Sequence, residues 1–257
     1  MHPFDSLPLW AFFTTVLLLS LLWTECGYRV GGHRRKKDPK EPDAPLGTVV
    51  ASILGLLAFM LGFTFNVAIN RFDDRREAVL DEANAIGTTY LRADFFDSPA
   101  KEQARKLLRE YVQLRANGVR RAAEFEQVVS RSEQLQSELW SSAAKLGKER
   151  PTPISGLYIS SLNEVIDMHA KRITLGMHSR VPLSVWLVLF AVSALAMASV
   201  GFYFGLSGNR SWVETIVLIV TFSLVMLLVA DLDRPQEGLI RASQQPMLDL
   251  QKQLGPP

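Results

Sequence analysis

Apolar and charged positions segregate along this chain in blocks the length of whole helices. Leu7–Trp23, Thr48–Asn70, Val181–Leu206 and Trp212–Ala230 are apolar runs, each near the roughly 20 residues a helix needs to cross a hydrocarbon core. The second run, TVVASILGLLAFMLGFTFNVAIN, passes into RFDDRREAVLDEANAIGTTYLR with no Gly, Pro or turn signal at the boundary. One helix is therefore expected from Leu46 to Arg92. Asn66 and Asn70 are its first polar side chains, and Arg71, Asp73, Asp74, Arg75, Arg76 and Glu77 follow at once. The pattern predicts an all-α, four-span helical membrane protein with a helical water-facing domain inserted between spans two and three.

Residues 71–180 are rich in charge and read as helix throughout. Asp97, Ser98 and Pro99 supply a cap and a first-turn proline. The following KEQARKLLREYVQLRA places Ala104, Leu107, Leu108, Tyr111 and Leu114 at helical spacing. A second helix is expected over VRRAAEFEQVVSRSEQLQSELWSSAAKL, with Phe125, Val128, Val129, Leu135, Leu139 and Trp140 among its charges, ending at Gly147. Pro151 and Pro153 mark a turn, and one more helix runs to about Gly176. Four segments follow: 1–70 with the first two spans and a basic connecting loop, 71–180 as the helical domain, 181–231 with spans three and four, and 232–257 as a tail packing on that domain.

Composition narrows the function classes. A net charge of +2, with basic residues mixed among acidic ones, gives no patch for DNA or RNA. No phosphate loop, nucleophile elbow or kinase signature occurs, so catalysis has no support in the sequence and no cofactor is implied. Cys26 is the single cysteine, which excludes an intrachain disulfide and a thiol metal site. It reads as a small buried apolar residue. His2, His33, His169 and His178 are scattered without metal-ligand spacing and read as surface or interfacial residues; no metal site is expected. The first span lacks a basic start, and TECG is a poor cleavage signal, so it reads as a retained span.

Orientation draws two opposed arguments. Arg29, Arg34, Arg35, Lys36, Lys37 and Lys40 occupy the short Tyr28–Pro45 segment, and the positive-inside rule assigns that segment to the cytoplasm. The middle domain and both termini would then be extracytoplasmic. Arg71, Arg75, Arg76, Lys171, Arg172, Arg180, Arg234 and Arg241 flank the opposite side.

On the long second helix Leu56, Phe59, Phe63, Asn66, Asn70, Asp73 and Glu77 fall on one face at steps of three and four. Arg71 with Arg75, and Asp73 with Glu77 and Arg76, are helical neighbours, and salt bridges from Arg71, Arg75 and Arg76 to other helices are an equal expectation. After the fourth span, Asp231 and Asp233 could bind a cation or pair with Arg234 and with basic residues of the middle domain, and the pairing is the reading favoured.

The string Phe63–Asn84 resembles the bestrophin helix in which a Phe precedes an Asn, an Ala and an Arg-aromatic-x-x-Arg step; here these are Phe63, Asn66, Ala68, Arg71, Phe72, Arg75 and Asn84. DLDRPQEG, Asp231–Gly238, is similar to the acidic segment that bestrophins carry after their last span. Nearly the full length looks like the bacterial family described as bestrophin-like. The chain departs from bestrophins where Asp73 follows Phe72, where Gln236 and Glu237 replace their Phe, and where the acids of their calcium clasp are missing. The resemblance implies a cytosolic middle region, against the basic-loop argument. It also implies a homo-oligomeric ion channel in the cell membrane, as in a bacterial inner membrane, with a pentamer as the family's assembly. Span two would line a central pore for chloride or other small anions, with lipid, inorganic ions and copies of itself as partners. Phe59 and Phe63 would then gate by dewetting, and Asn66 and Asn70 would hydrogen-bond a partly dehydrated ion. Asp73, Asp74, Glu77, Asp81 and Glu82 would attract cations unless Arg71, Arg75 and Arg76 neutralise them. The alternative is a non-conducting membrane sensor or scaffold in which the same Phe and Asn side chains pack between helices.

Overall fold

A computed structural model of the protein describes residues 7–37, 44–117, 122–177, 179–234 and 238–256. Every regular element among them is helical: α1 (Leu9–Lys37), α2 (Ala44–Arg92), α3 (Ala100–Ala116), α4 (Ala122–Glu149), α5 (Pro153–Met177), α6 (Leu183–Ser207), α7 (Trp212–Asp233) and α8 (Gln245–Leu254), with a 3-10 turn at Ala93–Phe95. The helices α1, α2, α6 and α7 are long and apolar enough to cross a membrane. The all-helical, four-span class expected from the hydropathy is the one observed. The chain forms two compact units, Met1–Arg71 with Arg180–Ile240, and Phe72–Ser179 with Arg241–Pro257. The unbroken α2 contributes to both.

In the first unit α1 and α6 run parallel and cross through small residues. A Cβ built on Gly27 or Gly31 would collide with the carbonyls of Ala198 and Phe202, and one on Gly201 or Gly205 with those of Thr24 and Tyr28. Two glycine pairs spaced by four residues thus bring the backbones into contact, the arrangement apolar helices use where lipid removes the usual hydrophobic drive. Phe12, Trp186 and Phe190 pack beside this crossing, with Phe12 edge-on to Trp186 at 5.8 Å. The α6 helix ends at Gly208, whose φ of 70° suits a residue without a side chain. The Arg35 guanidinium fills the space a Cβ would take there. The far end of α7 is tied down by Arg234, which donates to the Leu7 carbonyl at 2.6 Å.

In the second unit one side of α2 (Val79, Ala83, Ile86, Tyr90) packs with Leu108 and Tyr111 of α3, Leu135 and Leu139 of α4, Leu162 and Val165 of α5, and Met247 and Leu250 of α8. The periodicity of α3 and α4 produces this core directly. Phe96 stands edge-on to Tyr158 at 5.0 Å. The short α8 caps the cluster, and Arg109 Nε donates to the Leu254 carbonyl at its last turn, 3.1 Å away.

Four sequence expectations need correction. The basic segment after span one is not a loop through Lys37: α1 continues to that residue, because nothing in TECGYRVGGHRRKK stops a helix; Lys40 lies outside the described residues. Cys26 is exposed, since Gly27 rather than Cys26 takes the contact with α6. His169 is buried within the second unit; His2 and His178 lie outside the described residues, as does the side chain of Phe125. The α4 helix runs through Gly147 to Glu149, with Gly147 set against Ile159.

The glycine crossing gives a matched test. A Cβ at Gly201 meets backbone atoms that cannot move aside, whereas one at Gly32 meets nothing within 4 Å. Gly201→Leu is expected to cost at least about 3 kcal/mol. Gly32→Ala is expected to be neutral or to stabilise by up to about 1 kcal/mol. Thermal unfolding in detergent, followed by circular dichroism, compares the two.

Candidate functional site

The rotation of α2 about its axis decides which side chains it offers. In the first unit Leu57, Leu61, Thr64 and Ala68 are buried. Leu56, Phe59, Phe63, Asn66 and Asn70 are exposed, with Phe59 at 72% and Phe63 at 64%. Asn70 Nδ2 donates to Asn66 Oδ1 at 3.1 Å, so the two amides form one polar step on that face. Thr64 turns inward and donates to the Met60 carbonyl at 2.8 Å.

Within the second unit α2 also has a buried and an exposed side. Asp73, Asp74, Arg76, Glu77, Leu80, Asn84, Thr88 and Leu91 are exposed, while Arg75, Ala78, Val79, Glu82 and Ile86 are buried. All seven residues singled out in the sequence, Leu56 through Glu77, are exposed, each within its own unit. Leu80, Asn84 and Leu91 extend the exposed side in the second unit beyond the sequence reading. The three arginines part company, since Arg75 is buried, Arg71 half-buried and Arg76 exposed. Lys171 Nζ reaches Asp81 Oδ2 at 3.0 Å. That hydrogen bond, aided by the nearby Glu77 and Asp74 charges, raises the Lys171 ammonium above its ordinary value.

Glu82 does not join the exposed carboxylates; it has no exposed surface. Arg115 of α3 meets it with two N–H donors, Nε to Oε1 at 2.9 Å and Nη2 to Oε2 at 3.1 Å. Arg172 of α5 also donates to Oε2, and its other Nη donates to Gln244 before α8. The Tyr111 hydroxyl donates to Oε1 at 2.9 Å. Its oxygen therefore accepts, from Gln136 Nε2 at 3.1 Å and from His169 Nδ1 at 3.0 Å, which assigns a proton to that histidine nitrogen. Burial first, and then the Glu82 charge, push the Tyr111 phenol far above its usual range, so it remains a donor. A weak signal for this cluster lies in the helical phase of Glu82, which it shares with the apolar Val79 and Ile86.

At the end of α7, Asp231 accepts from the main-chain N–H groups of Leu239 and Ile240 at 2.8 and 3.0 Å. A Cβ on Gly238 would strike Asp231 Oδ1, so this turn closes around the carboxylate. Asp233 accepts from the Val181 N–H at 2.8 Å and lies 4.0 Å from Arg180. Pro235, Gln236 and Glu237, which carry part of the acidic-segment resemblance, lie outside the described residues.

Removing the one anion from this cluster leaves two guanidiniums, Arg115 and Arg172, without compensation. Glu82→Gln is expected to destabilise the protein by about 3–5 kcal/mol. The double variant Glu82→Gln with Arg115→Met recovers part of that loss, because one of the two stranded cations is gone. Denaturant unfolding of wild type, Glu82→Gln, Arg115→Met and the double variant measures the coupling.

Residues 14–247 match the model of the bestrophin-like domain. No curated protein sequence matches the chain. Among solved structures, a point variant of a bacterial bestrophin homologue from Klebsiella pneumoniae superposes with a TM-score of 0.67 at 17% identity, covering 94% of this chain and 97% of its own. A second variant of that homologue gives 0.67 at 16% identity over 93% and 96%. A third gives 0.63 at 17% over 95% and 96%. These likenesses establish a shared fold, and with a family match spanning most of its length the chain belongs to the bestrophin-like family.

Proposed function

We propose that copies of this chain assemble around a central axis as an ion channel of the cell membrane, with the exposed side of α2 from each subunit lining the path. The observation that carries this reading is the division of a lipid-length helix into a buried stripe, Leu57–Leu61–Thr64–Ala68, and an exposed stripe of the same spacing, Leu56–Phe59–Phe63–Asn66–Asn70. Steps of three and four keep such a stripe on one side of a helix packed about an axis. Phe59 and Phe63 form the neck, an apolar constriction that gates by dewetting, and the Asn66–Asn70 pair lies one turn further on. The unit holding α3, α4, α5 and α8 faces water. The family resemblance supports a pentamer, a bacterial inner membrane and chloride or another small anion as the permeant ion.

A specific observation favours the opposite sign. Arg71 and Arg75 turn away from the exposed side of α2 while Asp73, Asp74 and Glu77 stay on it. Arg76 alone among these arginines remains to offset them, and Lys171 is engaged by Asp81. Carboxylate rings select cations, so a cation path is the second reading. The competing class is a non-conducting sensor or scaffold, in which the same stripe is buried between subunits.

Planar-bilayer recording of purified protein under a KCl gradient separates these readings. Conduction is expected, with a reversal potential that reports the sign of the ion, and Phe63→Ala is expected to increase open probability by widening the neck. Silence from intact oligomers across pH and calcium concentration gives the scaffold. Labelling of Phe63→Cys by a water-soluble maleimide, in a Cys26→Ser background because Cys26 is itself exposed, is expected to proceed if the face is wet and to fail if it is packed.

A further inference from the structure

At the α6–α7 turn of the membrane unit, Arg210 is held between two aromatic rings. Its guanidinium carbon lies 3.8 Å from the Trp212 ring centre and 4.6 Å from that of Tyr28, and Nη2 reaches Glu25 Oε2 at 2.5 Å. Arg29 binds the other oxygen of the same carboxylate at 2.9 Å. Two guanidiniums thus share one anion. Arg35 sits against Gly208 of the same turn, and Arg34, Lys36 and Lys37 complete the last turn of α1. A cavity of about 270 Å³ is lined by Arg210, Trp212, Tyr28 and Glu25, with Leu21 and Phe204 as its apolar floor.

We propose that this notch binds the phosphate-bearing headgroup of an anionic membrane lipid. Three features converge on that class of ligand. The first is depth: Trp212 opens α7 and Tyr28 lies near the end of the apolar part of α1, the level at which Trp and Tyr mark the headgroup layer. The second is charge. Among the described residues at this end, Arg29, Arg35, Lys36, Lys37 and Arg210 face two carboxylates, Glu25 and Glu214, a surplus of three. Basic pockets between membrane helices are the sites that anionic headgroups occupy. The third is donor geometry. Arg210 spends one Nη on Glu25, and Arg29 its Nε, leaving planar N–H donors of the kind that bind phosphate oxygens in pairs. Stacking on Trp212 and Tyr28 holds the Arg210 plane in place, and the apolar floor accepts the start of the lipid's chains. The assignment is independent of whether the protein conducts.

Native mass spectrometry of the full-length protein tests it, with 1-palmitoyl-2-oleoyl phosphatidylglycerol, the matching phosphatidylcholine and inorganic phosphate as probes. Wild type is expected to retain phosphatidylglycerol in preference to phosphatidylcholine. Arg210→Gln and Arg35→Gln are each expected to weaken that retention about fivefold, the effect of removing one cation near an anionic headgroup. Phosphatidylcholine retention stays unchanged in both, and Lys148→Gln, in the other unit, alters neither lipid. If Arg210→Gln loses helix by circular dichroism, Arg35→Gln carries the test, because Arg35 is exposed on a terminal turn. Equal retention of the two lipids by wild type, undiminished phosphatidylglycerol in a folded variant, or its displacement by inorganic phosphate overturns the proposal.

Discussion

Glu82 is the constraint around which the unit of α3, α4, α5 and α8 closes. A carboxylate with no exposed surface persists only where its charge and its lone pairs are answered. Here the answers come from α3 through Arg115 and Tyr111, and from α5 through Arg172. Gln136 of α4 and Gln244 before α8 bind these partners in turn. No helix in the set can rotate or slide without stranding a charge or a buried donor. The same residue fixes the rotation of α2. With Glu82 directed inward, helix geometry turns Asp73, Glu77, Leu80 and Asn84 outward.

The membrane unit depends on a different kind of contact. Where lipid surrounds the helices, burying another leucine gains little, because the hydrocarbon already accommodates it. Close backbone approach supplies dispersion contacts that lipid chains cannot match. Gly27 and Gly31 against Gly201 and Gly205 provide that approach for α1 and α6. Polar groups at the ends of the helices then fix position along the axis. Arg234 reaches Leu7 at one end, and the Glu25–Arg210 pair joins α1 to the α6–α7 turn at the other.

The helices other than α8 are legible in the sequence because each is longer than a helical turn by several fold and its apolar residues repeat at helical spacing. Lipid-length runs mark α1, α2, α6 and α7, and the stripes of α3 and α4 mark the sides that enter a core. What periodicity cannot supply is the identity of a contact. Glu82 stands beside Asp81 in a run of charge, and only the arrival of Arg115 and Arg172 from positions distant in the chain separates a buried anion from an exposed one. His169, expected at the surface, is buried for the same reason, its partner Tyr111 lying on another helix. Gly27 was invisible as a packing residue because its counterpart is carried by α6. The ten-residue α8 has too few turns for its apolar positions, Met247 and Leu250, to stand out from a polar tail.

The stretch Arg71–Glu77 shows how sequence proximity and spatial proximity diverge on a helix. Seven consecutive residues carry three cations and three anions and read as neutral along the chain. Each step turns by about 100°, so charges adjacent in sequence land on different sides, and here all three anions are exposed while Arg75 is buried. A composition that balances in one dimension is unbalanced around the axis. In the proposed channel that imbalance is repeated by every subunit, and because like charges in a confined space add their potentials, even a modest excess per chain becomes a strong field at the axis. The sign of the permeant ion is then set by how far α2 is rotated, and that rotation is fixed within this unit by Glu82, a residue that never faces the path.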